Sequence, residues 1–535
     1  MRPYETSDAT RESLRELSQS PDGTVMRRFR RGRALDTELI DRIKKADELA
    51  SVIGLSQFLS GPKNSVAPIV DAITAILDHR DPVQLARLDE QCRQYSEYSY
   101  AVWNWAQQPK NVLKGLGHPA ILGLFSMHPS GYVRETAVKR LKRFDTGQAL
   151  TFLLIRSNDW VKQVRKLAIV EVIDRATSEN VEQFVDNLAL IDRCSSKTRG
   201  DFSMARAAID ILLTEHPDLL ERHLSKSDFR LRRAIYDISR KFENSARQRF
   251  IRLGLQDNDP LARLRAARSV AEIEDIAEKQ ELVDELANDP FYAIRLTGLR
   301  LTLADSTERK EAILRKLIVD RSRSVRQSAR FHLKHAGLLP TDTFFAEQYR
   351  EAITSGDLVA GLYGLGECGG VTDLEMIEDY LGRERPAIAS AALDSICKLS
   401  EDDQIDLLLK FLKHDYPRCS RTAAHWLSNN QSPLVHEACL ENIDNTALPL
   451  HVRRNSLSVS LRQNKWSSLE AILAAIGDGH SDLAEFGQAA LSRWVHHFNR
   501  SFVQPTEQQR QRIGEALNLA NLDQHQQRQL FAMLN

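Results

Sequence analysis

The amino-acid sequence predicts an all-α chain: an α-solenoid of roughly twelve stacked two-helix units behind an N-terminal helical region. Three observations predict it. A phrase recurs: Asn258–Arg265 reads "NDPLARLR" and Asn288–Arg295 reads "NDPFYAIR". The arginines of this phrase and its relatives fall at 134, 165, 232, 265, 295, 326, 421 and 453, in steps of about 31 residues or near multiples of that step. Gly (24) and Pro (17) are sparse in 535 residues, which suits helices joined by short turns better than a β-rich chain. A sustained period marks units that cannot bury an apolar face alone and must stack on their neighbours.

Residues 1–115 show no clear repeat. Helical periodicity over 37–59, 65–79 and 82–108, broken by "SGPKNS" and "HRDP", reads as a helical region or irregular cap. The array then runs from 116. "HPSGYVRETA" puts Val133 and Arg134 after His128, and "DWVKQVRKLA" puts Val164 and Arg165 five and six residues after Asp159. The same spacing gives Asp259 with Leu264 and Arg265, Asp289 with Ile294 and Arg295, and Asp320 with Val325 and Arg326. Asp415 with Ser420 and Arg421 follows, and "PLHVRRNSL" keeps Val452 and Arg453. The copy around Arg206 is degraded, and the copies at Ala360, Ala389 and Gly487 replace the arginine. A phase break near 335–350 divides the array into a basic half, 116–338, and a second half, 339–500. Residues 501–535 read as two short capping helices.

Within 276–305, "IAEKQELVDELA" carries Ile276, Leu282, Val283 and Leu286 at helical spacing. Asp289 then suits an N-cap, because its carboxylate accepts from orphan N–H groups. Pro290 suits the first helical position, where no donor is needed. "FYAIRLTGLRLTL" makes the second helix.

Asp at a helix start, with Val and Arg five and six residues on and then Ala, resembles HEAT-type repeats. The short period is similar to the HEAT-like repeats named after the phycobiliprotein lyases. The resemblance covers about three-quarters of the chain. It implies that the repeated pairs Asp159 and Arg165, Asp259 and Arg265, Asp289 and Arg295, Asp320 and Arg326, and Asp415 and Arg421 form a structural ladder. In it the Asp caps a helix and a neighbouring unit's Arg bonds to it. The resemblance is specific for fold and nearly silent on function. The favoured reading is a non-enzymatic scaffold or adaptor for another protein in a multi-component system, because an extended solenoid surface suits long or flat partners; large bacterial HEAT-type chains serve such systems, defence systems among them.

The alternative partner class is DNA or RNA. The 73 basic and 73 acidic residues balance, whereas a dedicated nucleic-acid protein is usually basic overall. Local basic stretches could still meet phosphates or an acidic partner. One holds Arg230, Arg232, Arg233, Arg240, Lys241, Arg247, Arg249 and Arg252. A second holds Arg315, Lys316, Arg321, Arg323, Arg326, Arg330 and Lys334. A third is "MRRFRRGR", with Arg27, Arg28, Arg30 and Arg31. The aromatic segment Tyr95–Lys110 reads as a packed junction or a binding surface. It does not match, residue by residue, the HEAT-like alkylpurine DNA glycosylases.

No catalytic, cofactor or metal residues are assigned. His496 and His497 are adjacent and so lie on different helix faces, while His414, Cys419 and His425 lack a chelating i, i+4 pair. The glycines of Gly361–Gly370 lack a P-loop Lys-Ser/Thr and read as a helix ending in a glycine C-cap. The six cysteines, none in a C-x-x-C, suit reduced thiols and a cytoplasmic chain. No signal peptide and no membrane span is expected. Function is expected where the period breaks: at the non-repeat arginines, the N-terminal region and the replaced copies.

Overall fold

The computed structural model describes residues 6–18, 36–60, 63–93, 113, 117–196, 199–225, 228–303, 307–335, 341–498, 503–520 and 522–534. Among these residues there are helices and turns and no strand. The chain divides into two units, Met1–Leu282 and Val283–Asn535.

In the first unit, Pro119–Ser126 pairs with Gly131–Leu141, Gly147–Arg156 with Lys162–Asp174, and Asn244–Leu255 with Pro260–Ser269. Successive second helices pack side by side, as Gly131–Leu141 does on Lys162–Asp174. The irregular piece is Val181–Asp186, Leu188–Ser195 and Ser203–Thr214, and it holds the degraded copy around Arg206. One apolar core runs from Leu14 to Ala262.

In the second unit the pairs are Thr307–Leu317 with Arg323–Leu333, Asp342–Ser355 with Leu358–Cys368, and Ile405–Leu412 with Pro417–Leu427. Pro433–Asp444 with Leu450–Ser460 and Lys465–Gly477 with Ser481–His497 follow. Glu507–Leu519 packs on Lys465–Gly477, and Gln524–Leu534 is the last helix. The phase break near 335–350 holds a 14-residue helix, Asp342–Ser355. In the helix Ile276–Leu286, Leu282, Val283 and Leu286 are buried, but Ile276 is 72% exposed.

Several second helices open differently from the N-cap expected of their Asp. Asp289 accepts from the Phe291 N–H at 2.7 Å, and the helix proper begins at Tyr292 with Phe291 as N-cap. Asp159, Asp320 and Asp478 do the same to Val161 (2.9 Å), Ser322 (2.6 Å) and His480 (2.8 Å). His128 and His414 substitute an imidazole, accepting from Ser130 and Tyr416 at 2.9 and 3.1 Å. A side chain bonded two residues ahead closes a turn, and the second carboxylate oxygen stays available for an arginine.

"NDPLARLR" splits the two tasks. Asp257 closes the turn by accepting from the Asp259 N–H at 2.8 Å. Asp259 is a true N-cap, accepting from Ala262 at 2.8 Å, with Pro260 at the first helical position. The two phrases that read alike therefore sit two residues out of register.

The glycines of Gly361–Gly370 serve close packing. A Cβ on Gly364 would lie 2.1 Å from the Tyr349 ring, and one on Gly366 would lie 2.5 Å from the Ser395 Oγ. The helix does end at Gly369, but with φ −79° rather than a left-handed cap. The left-handed glycine C-cap is Gly356, with φ 104°.

Candidate docking surface

The arginine at the sixth position after the turn residue joins two turns. The Nε and Nη2 groups of Arg134 donate to both oxygens of Asp159 at 2.9 Å, while its Nη1 donates to the carbonyls of His128 and Pro129 at 2.8 Å. Arg295 repeats this on Asp320 at 2.6 and 2.7 Å, with Nη1 on the Asp289 and Pro290 carbonyls. Arg232 bonds to Asp257 at 2.8 and 3.1 Å, and Arg453 pairs with Asp478. Each such pair spans 25 residues, from one turn to the next. Paired, parallel N–H donors to a carboxylate give both strength and geometric specificity.

The other expected rungs divide. Arg165 donates to the Asp159 carbonyl at 2.5 Å, so it serves its own turn. Arg326 donates to the Asp320 carbonyl at 2.7 Å but pairs with Glu367, 41 residues on, across the phase break. In the shifted copy Arg263, not Arg265, reaches the turn carbonyl, that of Asp257, at 2.8 Å. Arg265 pairs with Asp237, and Asp259 with Arg233 at 2.7 Å. Asp415 and Arg421 make no rung: both are exposed and neither has an ion pair among the described residues. There His414 takes the turn position and Ser420 the buried sixth position, donating to the Leu412 carbonyl at 2.7 Å.

The deepest rung is at Asp159, which is fully buried and also meets the fully buried Arg156, itself paired with Asp89. Burial opposes ionisation of Asp159. The Arg134 hydrogen bond and the charges of Arg156 and Arg134 outweigh it and hold its pKa below the usual carboxylate range. Removing one partner from such a buried pair costs on the order of 3–5 kcal/mol.

The first basic stretch is neutralised residue by residue. Arg230 meets Asp228 at 3.7 Å, Arg232 meets Asp257 at 2.8 Å and Arg233 meets Asp259 at 2.7 Å. Glu272 takes Arg240 at 3.0 Å and Arg247 at 3.3 Å, while Lys241 pairs with Asp210. Arg249 meets Asp218 at 2.7 Å and Glu221 at 2.8 Å, and Arg252 meets Glu278 at 2.8 Å. The stretch is therefore a set of ion pairs, most of them between neighbouring helices. Sequence composition does not show this, because most of the acids come from other turns, up to 32 residues away.

The second basic stretch divides. Arg315 pairs with Glu311, Arg326 and Arg330 with Glu367, and Lys334 with Asp342. Three exposed cations remain without a carboxylate among the described residues. Lys316 donates to the Asn288 side chain at 2.8 Å, Arg321 to the Pro290 carbonyl at 3.2 Å, and Arg323 stands in solvent at the start of its helix. Exposed Arg385, the N-cap of Pro386–Leu399, is a fourth.

Lys316, Arg321 and Arg385 line one cleft of about 630 Å³ along the turns of successive hairpins. Its apolar lining comes from Leu317, Leu358, Val359 and Ile388. The rung Arg295–Asp320 forms part of the wall, with Asp289 and Asp357. The replaced copies at Ala360 and Ala389 open at this cleft: no ladder arginine emerges from their turns to cover it. Nearby on the same turn, Tyr292 is 45% exposed and stacks edge-on with Phe291 at 5.3 Å.

One feature escapes the sequence reading. Exposed apolar side chains recur within four residues of the turn residue: Tyr132, Trp160, Leu261 and Tyr292, with Tyr416 in the copy that lost its arginine. Arg199 lies 3.9 Å over the Trp160 ring. The signal was present as an aromatic or leucine beside five of these turns, where a solvated turn needs none. The expected site residues Arg27, Arg28, Arg30 and Arg31, and the segment 95–110, lie outside the described residues.

Among the described residues no group of His, Cys, Asp or Glu side chains could hold a metal ion, and no helix is long and apolar enough to cross a membrane. The six cysteines are free, four of them buried. Burial pushes the thiols of Cys397 and Cys439 up to about 12, far from the range of a reactive thiolate.

The hairpin period and the arginine rungs define the class: an all-helical HEAT-type repeat fold. No protein-family model and no curated protein matches the sequence. Among solved structures, importin-beta is similar at 13% identity, over 99% of this chain and 72% of that one, with a TM-score of 0.34. Yeast importin-beta is similar at 12% identity, over 99% and 67%, with a TM-score of 0.33. A microtubule polymerase array of Tumor Overexpressed Gene domains is similar at 12% identity, over 77% and 98%, with a TM-score of 0.23.

Proposed function

We propose that this chain is a non-catalytic scaffold that holds another protein of a multi-component system by an acidic segment, docked in the cleft of Lys316, Arg321 and Arg385. The observation that carries the reading is the contrast in charge pairing. The cations of the first basic stretch each have a carboxylate, whereas these three have none. An exposed cation left unpaired in a chain that pairs so many others is available to an outside anion.

A peptide suits this cleft better than a nucleic acid. The apolar lining of Leu317, Leu358, Val359 and Ile388 offers pockets for side chains, the usual core of a protein interface with a charged rim. Asp289, Asp320 and Asp357 stand among the cations and would repel a continuous phosphate backbone. The test is fluorescence anisotropy with a labelled peptide alternating Glu and Leu, run beside a single-stranded DNA of similar length. Salt-sensitive peptide binding that Lys316→Glu with Arg385→Glu removes supports the reading. DNA binding lost in the same variant, with no peptide binding, replaces it with the nucleic-acid alternative.

A further inference from the structure

A second cleft, of about 430 Å³, opens near the end of the array among the helices Pro433–Asp444, Lys465–Gly477 and Glu507–Leu519. Its polar lining has the opposite sign. Asp444, Glu470, Asp478 and Glu515 contribute carboxylates, and Arg512 contributes the cation. Two of these five are already committed. Asp478 is paired with Arg453, and Arg512 pairs with Glu437 at 2.6 Å while the charge of Glu470 also acts on it.

The remaining three carboxylates lack a full partner. Glu470 is 5% exposed; one oxygen meets His436 Nε2 at 2.7 Å and the other, Oε1, is buried without a hydrogen bond. A buried carboxylate oxygen left unpaired is costly, and its residue lines the cleft. Asp444 has no ion pair among the described residues. Burial raises its pKa, and the charge of Asp478 adds to this while that of Arg453 opposes it. Among the described residues Glu515 accepts only from the Gln511 amide at 3.1 Å. Leu440 and Leu473 supply apolar wall, and Leu519 stands 80% exposed.

We propose that this cleft takes a lysine or arginine side chain presented by a partner protein. The alkyl stem lies on Leu440, Leu473 and Leu519, and the charged head meets Asp444, Glu470 and Glu515. Long cationic side chains bury their stems on apolar surface and keep the charge at a polar end, which is the order of groups in this cleft. The exposed carboxylates of Asp444 and Glu515 give the head charge-assisted acceptors, and the buried Glu470 carboxylate adds its negative charge. This site is independent of the cationic cleft and stands whether or not that cleft binds an acidic segment.

The experiment uses the full chain and a labelled peptide of sequence Ser-Leu-Lys-Leu-Arg-Leu-Ser, with a control in which Gln replaces both cations. The expected result is at least tenfold tighter binding of the cationic peptide. Asp444→Asn with Glu515→Gln, both at solvent-reachable positions, weakens it tenfold or more at an unchanged melting temperature. Lys316→Glu with Arg385→Glu leaves it as in the wild type. Glu470→Gln weakens it too, but disturbs His436, so the exposed pair carries the test. Equal affinity for the Gln peptide overturns the proposal. So does full binding by the Asp444 and Glu515 variant, or loss of binding in the Lys316 and Arg385 variant.

Discussion

Between 230 and 252 the first unit carries eight cations, and each meets a carboxylate. Between 316 and 385 the second unit pairs Arg326, Arg330, Lys334 and Arg350 with carboxylates, but Lys316, Arg321, Arg323 and Arg385 meet none among the described residues. The span 230–252 holds eight cations and two acids, whereas 316–385 holds nine cations and eleven acids, so the four cations are not unpaired for want of carboxylates nearby in the sequence. In the first stretch the next hairpin presents Asp257, Asp259, Glu272 and Glu278 to the arginines behind it. In the second, the 14-residue helix Asp342–Ser355 intervenes, and Arg326 pairs with Glu367, 41 residues on rather than 25. Charges of the first kind hold the array together, and charges of the second kind are free to hold something else.

The largest expected effect is on a committed charge. Asp159→Ala leaves buried Arg134 without its carboxylate and buried Arg156 with Asp89 alone, and should lower unfolding free energy by about 3–5 kcal/mol, read from urea denaturation. A loss under about 1 kcal/mol would show that the rungs are not structural.

Next comes the uncommitted set. Lys316→Glu with Arg385→Glu should weaken acidic-peptide binding at least tenfold. It should move stability by no more than the roughly 0.5 kcal/mol per site usual for surface changes. A large drop in melting temperature would mean that these cations have structural partners after all.

Arg249→Glu with Arg252→Glu breaks exposed pairs, worth roughly 0–1 kcal/mol each. It should reduce stability slightly and leave peptide binding alone. A gel shift of DNA by the wild-type protein that these changes abolish would contradict the neutralised reading of that stretch.

Acid gives the smallest and most distributed effect. Asp159, Asp373 and Asp478 resist ionisation through burial, yet Arg134, Arg350 and Arg453 hold their pKa values below the ordinary one; the Arg233 hydrogen bond does so for Asp259. A depressed folded pKa stabilises above the unfolded value, about 3.9 for Asp. The stabilisation is lost as pH falls from there through the folded values. The urea midpoint should hold from pH 7 to pH 5 and fall between pH 4 and pH 2. Insensitivity in that acid range would mean that the rungs are not ionised pairs.

Much of the fold was legible because a stacked hairpin needs the same residue at the same place in each copy. The Val-Arg period located second helices at Gly131–Leu141, Lys162–Asp174, Tyr292–Thr302 and Arg323–Leu333. What failed was register where two frames overlap. Asp257 with Arg263 and Asp259 with Arg265 both satisfy the spacing, and only packing chooses between them. His414 hid a turn position behind the adjacent Asp415, because an imidazole nitrogen can accept the same hydrogen bond. The candidate sites were barely legible. Whether Arg249 or Arg385 is paired depends on the next hairpin, not on its own neighbours in sequence. The unpaired oxygen of Glu470 has no sequence signature at all.

The most direct test sets the two regions against each other. The anisotropy of a labelled Glu–Leu peptide is titrated with wild-type protein, with Lys316→Glu plus Arg385→Glu, and with Arg249→Glu plus Arg252→Glu. Binding that is lost in the first variant and kept in the second is the expected result. Binding kept in the first and lost in the second, or absent from the wild type at low salt, would contradict the account.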